Sequence, residues 1–319
     1  MIDAVIPAHA KDVDTLDLCI NGIKNNVIGI RNVYVVSREE LTKNAIWIPE
    51  STFPFTLKEV GDLIGNHWRT CWYYAGLIQQ TSAVVIPNLA NNVLISDCDT
   101  VFIKPVHLVD PEGRSVFNVS YDVPGDVTFH PYFEYMEKLI PGLTKQTKFS
   151  GIVHHMPVQK DILEELIERA EKTHGKPFWE ANIGVTLEDF KSVNTNSHRD
   201  GQGMMSTYDL YFNYVYKYHP NKMVIRPLKS ILAYKGCLGV KGLIETTAKS
   251  RTNLYGDVQI LDPAEEKDFN FDTAEEAMEH ITVRCRQLGW DAVTFQNHTR
   301  TGVDAHKQIN AEYINNVNC

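Results

Sequence analysis

The sequence predicts an α/β fold, and three stretches near its start carry the prediction. The opening IDAVIPAHA reads as a short apolar strand running into a turn at Pro7, and DTLDLCINGIKNN after it places Leu16, Ile20 and Ile23 at helical spacing. NVYVVS (32–37) is a second strand. A β-α-β start predicts a parallel sheet whose ligands bind at the carboxyl ends of its strands. With 319 residues, 43% hydrophobic and 22% charged, the chain can bury a large core and is read as one domain over residues 1–319.

Further along, HWRTCWYYAGLIQQ (67–80) reads as an aromatic-rich helix, and VLIS (93–96) as a buried strand. SVFNVSYD (115–122) and FSGIVHHM (149–156) have strand character. VQKDILEELIERAEKTHG (158–175) is a helix with Ile162, Leu163, Leu166 and Ile167 on one face, charges on the other, and Gly175 where a stop belongs. PFWEANIG follows, then the polar loop NTNSHRDGQG (194–203), which suits an acceptor-side lid. Ser206 is a candidate N-cap for the helix STYDLYFNYVYKYHP, and TAEEAMEHITVRCRQLG (273–289) is the last helix. The rest of the tail alternates short strands and loops, without repeats or low-complexity tracts.

A formal net charge of −9 argues against binding nucleic acid through a general basic surface. No basic-then-apolar leader opens the chain, and no run of ~18 apolar residues follows. The expectation is a cytoplasmic protein without a transmembrane segment. The six cysteines lack CxxC spacing and read as reduced thiols.

The stretch VLISDCDTVFI concentrates the chemistry. Asp97 and Asp99 interrupt an apolar run that resumes at once with Val101, Phe102 and Ile103, so a solvated loop explains them poorly. Strand alternation would send both carboxylates to one side and Cys98 to the other. Hard divalent cations, Mn²⁺ or Mg²⁺, take one or two carboxylates and complete their shell with phosphate oxygens and water, which suits a nucleoside-diphosphate substrate.

Two enzyme classes place such a pair at a strand end. Haloacid-dehalogenase-like phosphatases use DxDxT at the end of their first strand, with the first Asp as nucleophile; here Val101 stands at the Thr position and a β-α-β unit comes first. The sequence resembles more closely the GT-A glycosyltransferases. The turn at Pro7, Ala8 and His9, the helix with Arg69 and Gln79, and the DxD running into TVFIKP carry the likeness. The segments FSGIVHHMPVQKDILEELI, KPFWEANIG and STYDLYFNYVYKYHP resemble a DUF-type glycosyltransferase family of bacteria and large DNA viruses, over most of residues 1–235.

The resemblance implies a GT-A (Rossmann-like) single domain with a mixed, mainly parallel central sheet flanked by helices. Residues 1–105 would bind the nucleotide sugar, and residues 106–319 the acceptor, with a C-terminal extension. It implies metal-dependent transfer of a hexosyl or pentosyl unit from a nucleoside-diphosphate sugar, UDP-sugar favoured, to a hydroxyl of a glycan or other acceptor. Asp99 would be the main metal ligand. Asp97 would share the metal through water or accept from ribose or sugar hydroxyls. His298, in QNHTR, would add a third ligand, with His306 as substitute.

The turn carrying Pro7, His9 and Lys11 is the candidate site for base and ribose, and Arg69 for the diphosphate, although each also reads as a surface residue. An inverting reaction needs a carboxylate base. Asp209 matches the place of an acidic residue in related enzymes, and it equally reads as a helix N-terminal acid; Glu180 is the second candidate. Of His154 and His155, alternation assigns one to the sugar site and the other to packing. The competing readings are an aspartyl-nucleophile phosphohydrolase and a non-catalytic carbohydrate-binding protein.

Overall fold

The computed structural model describes residues 1–65, 70–120, 131–192, 205–234, 250–252, 256–258 and 273–296. Along the chain run β1 (Ile2–Pro7), α1 (Val13–Asn26), β2 (Ile30–Ser37), β3 (Ile46–Pro49), α2 (Leu57–Ile64), α3 (Thr70–Val85), β4 (Asn92–Ser96), β5 (Thr100–Phe102), β6 (Ser115–Phe117) and α4 (Pro131–Leu139). After them come β7 (His155–Gln159), α5 (Lys160–His174), α6 (Phe178–Ser192), α7 (Thr207–Tyr218), β8 (Met223–Ile225), β9 (Ser230–Tyr234), β10 (Ser250–Thr252), β11 (Gly256–Val258), α8 (Ala274–Gln287) and β12 (Ala292–Gln296).

The central sheet has the order β3-β2-β1-β4-β7. Its first four strands are parallel and β7 runs antiparallel beside β4, giving the mixed, mainly parallel sheet flanked by helices that the sequence predicts. Alternation decides which helices each face receives. Val5, Tyr34, Val36, Val93 and Ile95 pack into the large core under α2, α3, α5, α6 and α7. Ala4, Ile6, Val33, Val35 and Leu94 meet Leu16, Ile20 and Ile23 of α1 on the other side. Continuous apolar strands are what a sheet buried on both faces requires.

A second sheet, β11-β10-β9-β12-β5, joins the first through the segment between β4 and β5. There β5 pairs antiparallel with β12, and Val101, Ile103, Val293 and Phe295 pack on Met278 and Ile281 of α8. The acidic pair therefore sits at the junction of two sheets.

Several local expectations change, and of SVFNVSYD only Ser115–Phe117 is strand among the described residues. FSGIVHHM is not one strand: β7 starts only at His155, Ser150 makes an isolated bridge to Ser120, and His154 takes a left-handed backbone with φ +64°. PFWEANIG opens the helix α6. The helix over 158–175 begins at Lys160, after β7 has used Val158 and Gln159. Gly175 caps it in the left-handed conformation, as its position predicts. Among the described residues no helix is long and apolar enough to cross a membrane.

Candidate functional site

The parallel strands end along one edge of the central sheet, at Pro7, Ser37, Pro49 and Ser96. Because β7 is antiparallel, its beginning reaches the same edge: Ser96 pairs with His155, and the Asp97 amide donates to the His154 carbonyl at 2.9 Å. The edge thus collects the turn after β1, the acidic pair after β4, and His154.

β4 stops at Ser96, so Asp97, Cys98 and Asp99 lie in a tight turn rather than on a strand, with the Thr100 amide donating to the Asp97 carbonyl at 3.3 Å. Strand alternation is therefore not what orients the pair. Cys98 packs against the core on the α1 side, and burial pushes its thiol well above the ordinary range. Such a thiol is a poor nucleophile and a poor metal ligand.

The two carboxylates have different surroundings. Oδ1 of Asp97 accepts from the Tyr208 hydroxyl at 2.6 Å and from Nε2 of Gln79 at 2.8 Å. Oδ2 lies 3.0 Å from Nδ1 of His154. A carboxylate offers about four acceptor positions, and three are taken by protein groups. Oδ1 of Asp99, by contrast, is closed to solvent and meets no hydrogen-bond partner among the described residues. Burial, then the charge of Asp97, pushes the Asp99 carboxyl up to about 7, with His154 acting the other way. Two carboxylates this close in a shielded place resist joint ionisation.

The turn after β1 brings more polar groups to the edge. His9 is half-buried, and its Nδ1 accepts from the Lys11 amide at 3.2 Å. Lys11 is exposed and pairs with Asp12 at 3.6 Å. The charge of Asp12 is felt at both Asp99 and Cys98. Pro7 closes β1 and is half-buried.

His154 and His155 have different surroundings, and since His154 precedes β7 with a left-handed backbone, strand alternation is not what separates them. His154 reaches Asp97. The His155 side chain is buried edge-on against Phe102, with ring centroids 5.0 Å apart, and among the described residues neither ring nitrogen meets a partner at hydrogen-bonding geometry. Burial, then the charge of His154, pushes the His155 imidazole down to about 4. His154 holds a conformation that residues with a Cβ seldom adopt, which is typical of functional turns.

Asp209, expected as a base, lies 1% exposed within the core. Its Oδ1 accepts from the Gly151 amide at 2.6 Å and from the Ser150 hydroxyl at 3.1 Å, while its own amide donates to the Ser206 cap at 3.3 Å. Burial pushes its carboxyl up to about 6, and those donors oppose the shift. The carboxylate ties α7 to the chain before β7, and in this conformation no acceptor hydroxyl reaches it. Glu180 sits half-buried in the first turn of α6, which packs on α2, α4 and α5, away from the acidic pair. The aromatic face of α7 is core: Tyr208, Tyr211, Phe212 and Tyr214 are buried.

Arg69, His298, His306 and the loop 194–203 lie outside the described residues. β12 ends at Gln296, two residues before His298, and its Phe295 amide donates to the Asp99 carbonyl at 2.9 Å. Among the described residues no group of three or more His, Cys, Asp or Glu side chains is disposed to hold a metal ion. The roles of Tyr208 and Gln79 toward Asp97 are absent from the sequence reading. No local pattern signals them, since 111 and 18 positions separate them from Asp97.

No family model matches the chain, and no curated protein matches it in sequence. Among solved structures it is similar to mouse xyloside xylosyltransferase 1 in its apo form, with 7% identity, coverage of 70% of this chain and 84% of that one, and a TM-score of 0.34. It is also similar to an active-site mutant of LgtC, with 10% identity, coverage of 97% and 95%, and a TM-score of 0.39. At those TM-scores neither likeness assigns a residue, and the functional reading rests on the site.

Proposed function

We propose that the protein is a metal-dependent glycosyltransferase of the GT-A type, moving a hexosyl or pentosyl unit from a nucleoside-diphosphate sugar, UDP-sugar favoured, to a hydroxyl of a glycan or other acceptor in the cytoplasm. One observation carries the reading. Where the strands β1 and β4 end side by side, the place a nucleotide occupies in open α/β sheets, Asp99 presents a shielded oxygen with no donor among the described residues, beside a second carboxylate. Such an oxygen is unfavourable unless an ion or proton completes it.

The two carboxylates are hard oxygen donors, which suit Mn²⁺ or Mg²⁺. Asp99 would be the direct ligand, with Asp97 beside it. His298 is proposed as a further ligand because Phe295 of β12, three residues earlier, donates its amide to the Asp99 carbonyl. Bound there, the cation would act as a Lewis acid toward the leaving diphosphate.

The chain's own groups do the rest. The turn with Pro7, His9 and Lys11 would seat base and ribose, with the Lys11 ammonium and Arg69 as cations for the diphosphate. His154 would face the donor sugar from beside Asp97. Neither carboxylate considered as base for an inverting reaction faces this edge among the described residues, since Gly151 and Ser150 claim Asp209 and Glu180 packs in α6. Val101, at the Thr position of a phosphohydrolase motif, lies in β5 and is buried without a hydroxyl, which weighs against that alternative.

A thermal-shift screen of UDP-, GDP-, CMP- and dTDP-sugars with and without Mn²⁺ tests the proposal. Stabilisation by one nucleotide only when Mn²⁺ is present supports it; a ligand at ~100 times its Kd adds about 2.7 kcal/mol. Glycan binding with no nucleotide response, or a phosphoenzyme on Asp97, would replace it.

A further inference from the structure

We infer that Tyr208, with Gln79 beside it, is a positioning residue that sets the cation affinity of the acidic pair by gripping Asp97 from the start of α7. The inference deepens the reading of Asp97 and Asp99 as a cation site and rests on it.

The asymmetry of the pair motivates it. Among the described residues Asp97 receives donors from α3, from α7 and from the turn before β7, whereas Oδ1 of Asp99 receives none. The gripping residues are themselves oriented. Oε1 of Gln79 accepts from the Thr207 hydroxyl at 3.3 Å, which directs its amide nitrogen to Asp97, and that nitrogen also lies 3.4 Å from the Tyr208 oxygen. Thr207 and Tyr208 are consecutive at the N-terminal end of α7, so one helix end fixes both contacts. Asp209, the next residue, anchors that same turn to Gly151 and Ser150.

Behind the grip lies a cavity of about 20 Å³, room for about one water molecule. Besides Gln79, Gln80, Thr207, Tyr208 and Tyr211 it is lined by apolar side chains such as Ile95 and Leu210. Deleting the phenolic oxygen would leave Oδ1 of Asp97 supported by Gln79 over an apolar wall. The carboxylate would then be less well oriented toward a shared cation. Partners that hydrogen-bond a ligating carboxylate commonly change metal affinity by about 10- to 100-fold when removed.

The test compares the wild type, Tyr208→Phe and Gln79→Met by calorimetric Mn²⁺ titration of the full chain, with and without UDP, and by melting in chelator. The expected result is Mn²⁺ binding about tenfold weaker or more in each variant, with melting temperatures in chelator close to that of the wild type. In the transfer assay the Mn²⁺ concentration for half-maximal rate should rise while kcat at saturating Mn²⁺ stays within about twofold. A merely structural role would lower the melting temperature and leave Mn²⁺ affinity alone. If the wild type binds Mn²⁺ and both variants bind it equally well, the inference fails and the cation site stands. If the wild type binds no Mn²⁺, the proposed function and this inference fail together. Should Tyr208→Phe not fold, Gln79→Met alone decides.

Discussion

Asp209 is fully buried and Asp99 half-buried with its Oδ1 shielded; burial pushes both carboxyls upward, to about 6 and about 7, and they are accommodated in opposite ways. Around Asp209 the protein supplies the donors, a backbone amide and a hydroxyl, so the carboxylate acts as an internal tie between α7 and the segment before β7. Around Oδ1 of Asp99 the described residues supply none. A buried acid surrounded by its own donors builds the fold, and one left without them marks a place for something the chain does not provide.

The comparison breaks if the two acids respond alike to removal. Asp209→Ala should cost about 3 kcal/mol in chemical denaturation, because the Gly151 amide and the Ser150 hydroxyl are left buried without their acceptor. Asp99→Asn should leave the metal-free protein at least as stable as wild type above pH 7, since it removes a charge that burial and Asp97 both disfavour. Equal losses in the two variants would erase the distinction.

A smaller effect is expected at Gly151. A Cβ there would lie 2.7 Å from Cβ of Phe212 and 3.2 Å from the Tyr208 carbonyl oxygen. Gly151→Ala should therefore cost about 2 kcal/mol through overpacking. It should also weaken the response to Mn²⁺ with UDP, because the displaced backbone carries Tyr208. A Mn²⁺ response left intact in a destabilised Gly151→Ala protein would show that the tie and the site are independent.

The pH dependence of stability sharpens the contrast further. With its folded pKa raised, Asp209 binds its proton more tightly in the native state, so its contribution is present below about pH 4 and is lost as pH rises through about 6. His155 has the opposite sign: with its folded pKa lowered to about 4, stability is lost as pH falls from about 6.5 toward 4. Asp209→Asn removes the first contribution and leaves the second. Its stability should consequently fall more steeply than wild type on acidification from pH 6.5 to 4, as denaturation midpoints across that range would record.

Much of the frame was legible in the sequence. The β-α-β start, the strand leading to the acidic pair, the Gly175 stop and the Ser206 cap all rest on local signals that tertiary packing did not override. β3 escaped notice because it is a four-residue edge strand with Ile46 and Trp47 exposed. α2 is short, yet Thr56 and Glu59 form a capping box that was readable as a start signal.

The site was legible in composition and not in geometry. Asp97 and Asp99 were found from their apolar flanks. Their orientation was inferred from a strand that ends at Ser96, and the turn that replaces it depends on contacts with β7 and β12. Asp209 was read for its place in a Tyr-flanked segment, and only folding reveals that Ser150 and Gly151 claim it. The support of Asp97 by Tyr208 and Gln79 arises from pairings across distant segments, which no local pattern encodes.

The most direct test of a cation-assisted nucleotide site is electron paramagnetic resonance of Mn²⁺, measuring free ion against protein with UDP for the wild type, Asp99→Ala and Cys98→Ser. The predicted result is saturable uptake of Mn²⁺ by the wild type and by Cys98→Ser, whose thiol faces the α1 side of the core, and loss of that uptake in Asp99→Ala. Undiminished Mn²⁺ uptake by a folded Asp99→Ala protein would contradict the account.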